Sequence, residues 1–128
     1  MTLGFSEFID NVPTYFEEKI KAGTKIHSIR KGNRWKAGDK IHMVYGSRTK
    51  QRRQFRLDTV VSVQDIIIDF DNGGIWIDGV QEYDLEPLTN KRLAINDGFA
   101  HLVYFVRFFK KAGRFEGQII HWTDKRYK

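Results

Sequence analysis

The side chains best suited to binding phosphate are concentrated in one stretch of the chain. Residues 19 to 56 carry thirteen Lys or Arg and a single acid, Asp39. Basic side chains contact the phosphates of nucleic acids, while aromatic rings stack on unpaired bases. The sequence therefore predicts a nucleic-acid-binding surface with Trp35 or Tyr45 as its stacking ring. The predicted phosphate contacts are Lys25, Arg30, Arg34, Lys36, Arg48, Lys50, Arg52 and Arg53.

Charge changes sign along the chain, although the net charge is only +6. Residues 1 to 18 hold four acids and residues 57 to 90 hold eight, both without a base, whereas residues 91 to 128 hold nine bases and three acids. Such segregation predicts a basic face opposite an acidic one, which suits a polyanionic partner. Two alternatives stay open: acidic strands could pair with basic ones across a sheet, and the bases of 48–53 could form only a solvated loop.

Length and composition restrict the class of protein. The 128 residues fit a single domain spanning 1–128, and 14% aromatic residues favour a packed interior over disorder. The lack of cysteine excludes disulfides, thiolate nucleophiles and cysteine zinc sites, and it suits a reducing compartment. Because no run of about 18 apolar residues and no signal peptide is present, we expect a cytoplasmic protein without a membrane partner.

Four histidines are the remaining candidates for metal ligands. His27, His42, His101 and His121 do not form a close helical pair with an acidic neighbour at a known spacing. We therefore predict neither a metal nor another cofactor.

Several elements must position these side chains. We predict a broken helix from Ser6 to Ala22, restarted at Pro13 and ended by Gly23, followed by a strand over 26–30. A helix is predicted over 99–109 from its apolar spacing. Further strands are predicted over 40–45, 55–63, 66–70, 75–78 and 118–122, with a hairpin turn at 71–74 and a segment around Glu86 and Pro87 leading away from the sheet.

Four segments together resemble the ASCH family of PUA-like modules. They are Gly23–Arg30 (GTKIHSIR), Arg34–His42 (RWKAGDKIH), Ala94–Phe99 (AINDGF) and Gly117–Trp122 (GQIIHW). The family pattern has a helix ending near Gly, a Lys-x-x-Thr-x-Arg strand, a Gly-Asp turn and a helix bearing an acid before a final strand. The resemblance implies an α+β fold, with a small PUA-like β-barrel flanked by helices at the N-terminus and before the last strand.

The resemblance also implies a functional cleft between the barrel and the helices. RNA is the presumed partner of the family. Some members look like amidohydrolases acting on N4-acetylcytidine through a Lys, a Thr and a Glu, and a ribonuclease activity is suggested for others. Carried over by position, the family's Lys falls on Lys25, its Thr on Ser28, its Arg on Arg30 and its acid on Asp97.

The amide hydrolase that this resemblance implies makes specific demands on geometry. Lys25, with its pKa lowered by burial, would relay a proton for Ser28 or for a water, while Asp97 orients the amine and Arg30 binds an anion. Ser28 lacks the methyl group of Thr, Asp97 has a short side chain, and strand alternation would place Lys25 and Ser28 on opposite faces. Asp97 could alternatively cap the helix that follows it.

Three functions therefore remain as hypotheses. The sequence best fits a module that binds RNA or a modified nucleoside in a basic cleft, with a hydrolase using the same cleft as the alternative. The third is a protein-interaction module using the aromatic helix of 99–109. Trp35 could equally plug the end of the barrel instead of stacking on a base.

Overall fold

The structure is a computed structural model that describes residues 1 to 82 and 87 to 127, without the side chains of 87 to 89. The described part contains ten strands and three short helices. The strands are β1 (Thr2–Phe5), β2 (Phe8–Ile9), β3 (Val12–Pro13), β4 (His27–Lys31), β5 (Lys40–Tyr45), β6 (Arg53–Thr59), β7 (Ser62–Asp69), β8 (Gly74–Ile77), β9 (Val80–Glu82) and β10 (Phe115–His121). The helices are α1 (Phe16–Ala22), α2 (Pro87–Asn96) and α3 (Leu102–Lys110).

The strands divide into three sheets. A five-stranded sheet has the order β4-β10-β7-β8-β9, a three-stranded sheet has the order β1-β5-β6, and β2 and β3 form a hairpin. All pairs are antiparallel except β1 with β5. This arrangement is compatible with the predicted α+β class.

The predicted PUA-like β-barrel is wrong, because no closed barrel is found among residues 1–82 and 87–127. The strand predicted over 55–63 is in fact two strands that separate at Val60 and Val61. The Val60 amide donates to the Asp39 carbonyl and the Val61 amide to the His121 carbonyl, each at 2.8 Å. Consecutive residues thus bond towards different sheets, so the chain passes from one sheet to the other.

The prediction of a helix beginning at Ser6 is also wrong for the residues before Phe16. This region forms β2 and β3, joined by a two-residue turn in which Asp10 and Asn11 have φ of 52° and 65°. Positive φ at both central residues is typical of the type I′ hairpin turn, which Asn and Asp tolerate. Helix α1 begins only at Phe16, and Gly23, with φ of 80°, ends it as predicted.

Strand β10 separates two hydrophobic clusters, because successive side chains of a strand point to opposite faces. Ile120 packs with Phe5, Phe16 and Trp35 beside the three-stranded sheet. Ile119 packs in the other cluster, with the buried side chains of α2 and α3. Strand β4 lies at the edge next to β10, and its Ile29 packs in the same cluster as Ile119.

Helix α2, which the sequence did not predict, positions Asp97. The Asp97 amide donates to the Leu93 carbonyl at 3.0 Å, so Asp97 follows the C-terminus of α2 instead of capping the next helix. Gly98 comes next with φ of 97°, in the left-handed region that commonly ends helices. Of the segment predicted around Glu86 and Pro87, Glu86 lies outside the described residues.

None of the helices in the described ranges is long and apolar enough to cross a membrane.

Candidate functional site

Lys25 is buried between the end of α1 and the start of β4, with 2% of its surface exposed. Its Nζ donates to the His27 carbonyl at 2.8 Å and to the Asp97 carbonyl, and it lies 3.5 Å from Asp97 Oδ1. An ammonium group has three hydrogens to donate, and these oxygens can accept all of them. The geometry therefore holds Lys25 in one orientation.

Aromatic rings complete the surroundings of the Lys25 ammonium. Its Nζ lies 5.5, 4.9 and 5.9 Å from the ring centroids of Phe5, Phe16 and Trp122. Burial lowers the pKa of Lys25 from 10.5 to about 8, against the opposing attraction of the Asp97 carboxylate. Lys25 is consequently charged in most molecules at neutral pH, although much less strongly basic than a lysine in water.

Two lysines place their positive charges next to the C-terminal end of α2. The last carbonyls of a helix carry partial negative charge, and Asp97 adds a carboxylate to that end. Lys25 donates to the Asp97 carbonyl, and Lys19 donates to the Gly98 carbonyl at 2.7 Å. These two carbonyls lie just beyond α2, whose last four carbonyls, from Leu93 to Asn96, already accept backbone amides. The two ammonium groups therefore bind the segment that follows the helix.

A chain of hydrogen bonds runs behind Asp97 to the C-terminal segment. His27 Nδ1 lies 3.2 Å from Asp97 Oδ1, His27 Nε2 lies 2.6 Å from the Tyr127 hydroxyl, and Asn96 Nδ2 donates to that hydroxyl at 3.0 Å. A carboxylate only accepts, so a neutral His27 donates from Nδ1 and accepts from Tyr127 at Nε2. Burial lowers the pKa of His27, which favours this neutral form.

Ser28 and Arg30 form a second pair on β4. Arg30 Nε donates to Ser28 Oγ at 3.0 Å, and the Arg30 guanidinium lies 5.0 Å from the Phe5 ring centroid. Burial lowers the pKa of Arg30 to about 10, so it keeps its charge at neutral pH. Ser28 is itself 4% exposed, and Arg30 is half-buried.

Lys25, Ser28, Arg30 and Asp97 line one cavity of about 270 Å³, which we call the inner pocket. Its other walls include Phe5, Phe16, Phe99, Phe108, Phe109 and Phe115. Strand alternation does not separate Lys25 from Ser28, because Lys25 lies before β4 and not within it. The structure thus brings together the four residues that the family resemblance selected.

A larger cavity of about 980 Å³, which we call the basic cleft, adjoins the inner pocket. Phe5, Arg30 and Lys31 line both cavities. The basic side chains of the cleft are Arg30, Lys31, Arg34, Arg48 and Arg52. Glu7 is the only acid among the described residues that line it.

Three of the basic residues predicted to contact phosphates lie outside both cavities. Lys36 and Lys50 are exposed and line neither the basic cleft nor the inner pocket. Arg53 pairs with Glu17 at 2.6 Å and lines a neighbouring cavity instead of the basic cleft. Trp35 borders the cleft but is 3% exposed, and its backbone bonds to the Gln118 side chain, so it belongs to the core, although not as the plug of a closed barrel.

His121, like His27, is buried and makes structural hydrogen bonds. His121 Nε2 bonds to Gln64 Oε1 at 3.0 Å, and burial lowers the pKa of His121 to about 3. Gln64 Oε1 also accepts from the Tyr127 amide at 2.8 Å. Within residues 1–82 and 87–127, no group of three or more His, Asp or Glu side chains could hold a metal ion.

Sequence reasoning did not select His27, Asn96 or Tyr127 as members of the site. His27 lies inside the segment Gly23–Arg30, and its position between Lys25 and Ser28 could have identified it as a member of the site. Tyr127 lies a hundred positions away in the sequence from its partner His27. No local pattern reveals such a contact, because only the tertiary fold brings the C-terminal segment to β4.

No protein-family model, curated protein or solved structure matches this chain.

Proposed function

We propose that the protein binds RNA or a modified nucleoside, with phosphates in the basic cleft and the inner pocket as its deepest part. The observation that carries this proposal is that the two cavities are adjacent, since Arg30 lines both. A relation to the ASCH family, proposed on the four sequence segments alone, agrees with it. The cysteine-free chain suits a reducing cytoplasm, where we propose that it acts.

The basic cleft has the chemistry that phosphates require. Arg34, Arg48 and Arg52 are exposed, so their guanidinium groups can form paired hydrogen bonds to phosphate oxygens without a large desolvation cost. Arg30 stands at the junction, where its charge attracts an anion towards the inner pocket. With a single opposing carboxylate among the described lining residues, the field inside the cleft favours a polyanion.

The inner pocket differs from the cleft in size and character. At about 270 Å³ it is close to the lower end of the usual range for small-ligand sites, and its walls are largely aromatic. Ser28 and Asp97 supply a hydroxyl and a carboxylate at its base. These groups can bond to the donors and acceptors of a nucleobase while the aromatic walls contact its ring.

A salt series tests RNA binding directly. Fluorescence anisotropy of a labelled single-stranded RNA would be recorded between about 50 and about 200 mM salt, where phosphate contacts weaken steeply. Arg48→Ala should lower the slope of log K against log salt by about 0.7, the value for one phosphate on a single strand. Lys50→Ala, in the same loop but outside the cleft, should change it less. Absence of wild-type binding at the lowest salt would contradict the proposal.

The second candidate is hydrolysis of an N4-acetylcytidine-type nucleoside in the inner pocket. The lowered pKa of Lys25, about 8, favours it, because the neutral amine is then accessible near neutral pH. Two observations oppose the hydrolase. Ser28 Oγ already accepts a hydrogen bond from Arg30, and no hydrogen bond joins Lys25 and Ser28 in the described structure. A base that does not reach the nucleophile must act through water or after rearrangement.

An assay with N4-acetylcytidine distinguishes the two candidates. The hydrolase predicts release of acetate by the wild type, loss of release in Lys25→Ala, and a rate that rises with pH through about 8 as Lys25 loses its proton. Binding of the nucleoside without turnover would leave the binding function and exclude this hydrolase.

A further inference from the structure

The exposed aromatic residue at the rim of the basic cleft is Phe8. It lies on β2, 60% of its surface is exposed, and it lines the cleft together with Arg34, Arg48 and Arg52. An isolated exposed phenylalanine is common on protein surfaces, but one that lines the same cleft as three exposed arginines has a specific chemical setting. Such a combination of a flat ring and positive charges is typical of sites that bind single strands.

The hairpin that carries Phe8 is fixed at its turn and at its base. Asp10 and Asn11 form a tight turn with positive φ, and Asp10 Oδ1 pairs with Lys111 at 2.5 Å. At the base, the Thr14 amide donates to the Glu7 carbonyl at 2.9 Å and the Thr14 hydroxyl donates to the Ser6 carbonyl at 2.7 Å. The backbone next to Phe8 is therefore held before any ligand arrives, which lowers the entropy cost of binding.

The two rings predicted for stacking do not offer a free face. Trp35 is 3% exposed and Tyr45 is 7% exposed, and both belong to the hydrophobic core. The Tyr45 hydroxyl also accepts a hydrogen bond from the Glu17 amide at 2.9 Å, and its ring packs on Phe55 at 5.0 Å. Among the aromatic residues lining the cleft, the accessible ring is thus that of Phe8.

We propose that Phe8 stacks on a base of single-stranded RNA whose phosphates contact Arg34, Arg48 and Arg52. This inference rests on the proposed RNA-binding function and specifies its ligand as a single strand. Bases in a duplex stack on one another and do not offer their faces to a side chain, whereas an unpaired base does. Stacking on Phe8 adds affinity with little dependence on sequence, because every base has a flat face.

The test compares Phe8→Ala with a matched aromatic control. Tyr15 is also 60% exposed, and it borders a neighbouring cavity that Phe8 lines as well, but unlike Phe8 it does not line the basic cleft. Phe8→Ala should weaken binding of a labelled single-stranded RNA about tenfold, the effect of losing one stacked base. Tyr15→Ala should leave the affinity unchanged.

Two further readouts separate stacking from a change in the shape of the cleft. The slope of log K against log salt should be the same in Phe8→Ala and the wild type, since no phosphate contact is removed. Phe8→Trp should restore the affinity, and its added indole fluorescence should be quenched by single-stranded RNA but not by duplex RNA of equal length.

The outcomes distinguish this inference from the proposed function. If the wild type binds single-stranded RNA and Phe8→Ala binds it equally well, the stacking role is wrong while RNA binding stands. An equal loss for duplex RNA, or a reduced salt slope in Phe8→Ala, would also overturn stacking. If the wild type binds no RNA at low salt, both proposals fail.

Discussion

The Lys25 ammonium and the Asp97 carboxylate lie 3.5 Å apart in the interior, with side chains 2% and 6% exposed. A buried pair of this kind combines a favourable attraction with the cost of removing two charges from water. Here the cost dominates at Lys25, because burial lowers its pKa although Asp97 raises it. The stability of the fold must therefore depend on the protonation of Lys25.

The sign of this dependence follows from the two pKa values. Between about 8, the pKa of folded Lys25, and 10.5, its ordinary value, the unfolded chain binds more protons at this position than the folded protein. Stability therefore rises with pH across this window, by at most about 3 kcal/mol, and the gain is complete above the unfolded pKa. Urea unfolding across the window should show this rise in the wild type and its loss in Lys25→Met. Parallel pH profiles would contradict the buried state of Lys25.

The Tyr127 hydroxyl should contribute to stability through His27 and Asn96. Tyr127→Phe keeps the ring but leaves His27 Nε2 and Asn96 Nδ2 without this partner, at a cost of about 1–3 kcal/mol. Tyr15→Phe removes an exposed hydroxyl and should change stability by less than about 0.5 kcal/mol. Denaturant unfolding of both variants measures the difference, and equal stabilities would show that the C-terminal segment is not bound as described.

Gly98 should be intolerant of a side chain for two separable reasons. Its φ is +97°, and a Cβ there would lie 2.8 Å from Lys25 Cδ and 2.9 Å from Phe16 Cε1. Gly113 also has positive φ, +70°, but a Cβ there meets nothing within 4 Å. Gly113→Ala should cost about 1–2 kcal/mol from backbone strain alone, whereas Gly98→Ala should cost about 1–3 kcal/mol more from overpacking. Similar unfolding free energies for the two variants would contradict the close packing around Lys25.

Local signals in the sequence were sufficient to predict some elements correctly. Hydrophobic content and short length predicted β5 over Lys40–Tyr45, and Gly23 was recognised as the end of α1. Asp71–Gly74 was recognised as the turn between β7 and β8. Each of these depends on residues within one turn or strand, where propensity and hydrophobic pattern decide the structure.

The predictions that the structure contradicts have a common cause, because each of these regions is determined by tertiary contacts. Residues 6 to 13 could pair as a hairpin or form a helix, and packing of Ile9 against both hydrophobic clusters accompanies the hairpin. The break at Val60 depends on carbonyls of Asp39 and His121, which are distant in sequence. Likewise, the sequence selected Lys25 and Asp97 by resemblance, but both are bound by His27, which the distant Tyr127 hydroxyl holds in turn.

Arg52 and Arg53 are neighbours in the sequence with different surroundings, and they provide a final test of where RNA binds. Arg52 lines the basic cleft, whereas Arg53 pairs with Glu17 at 2.6 Å and lowers the pKa of that carboxyl. Arg52→Ala should weaken RNA binding and lower the salt slope by about 0.7. Arg53→Ala removes the same charge from the chain but should leave that slope unchanged. Equal losses in the anisotropy titrations would mean that total charge, and not the basic cleft, attracts RNA.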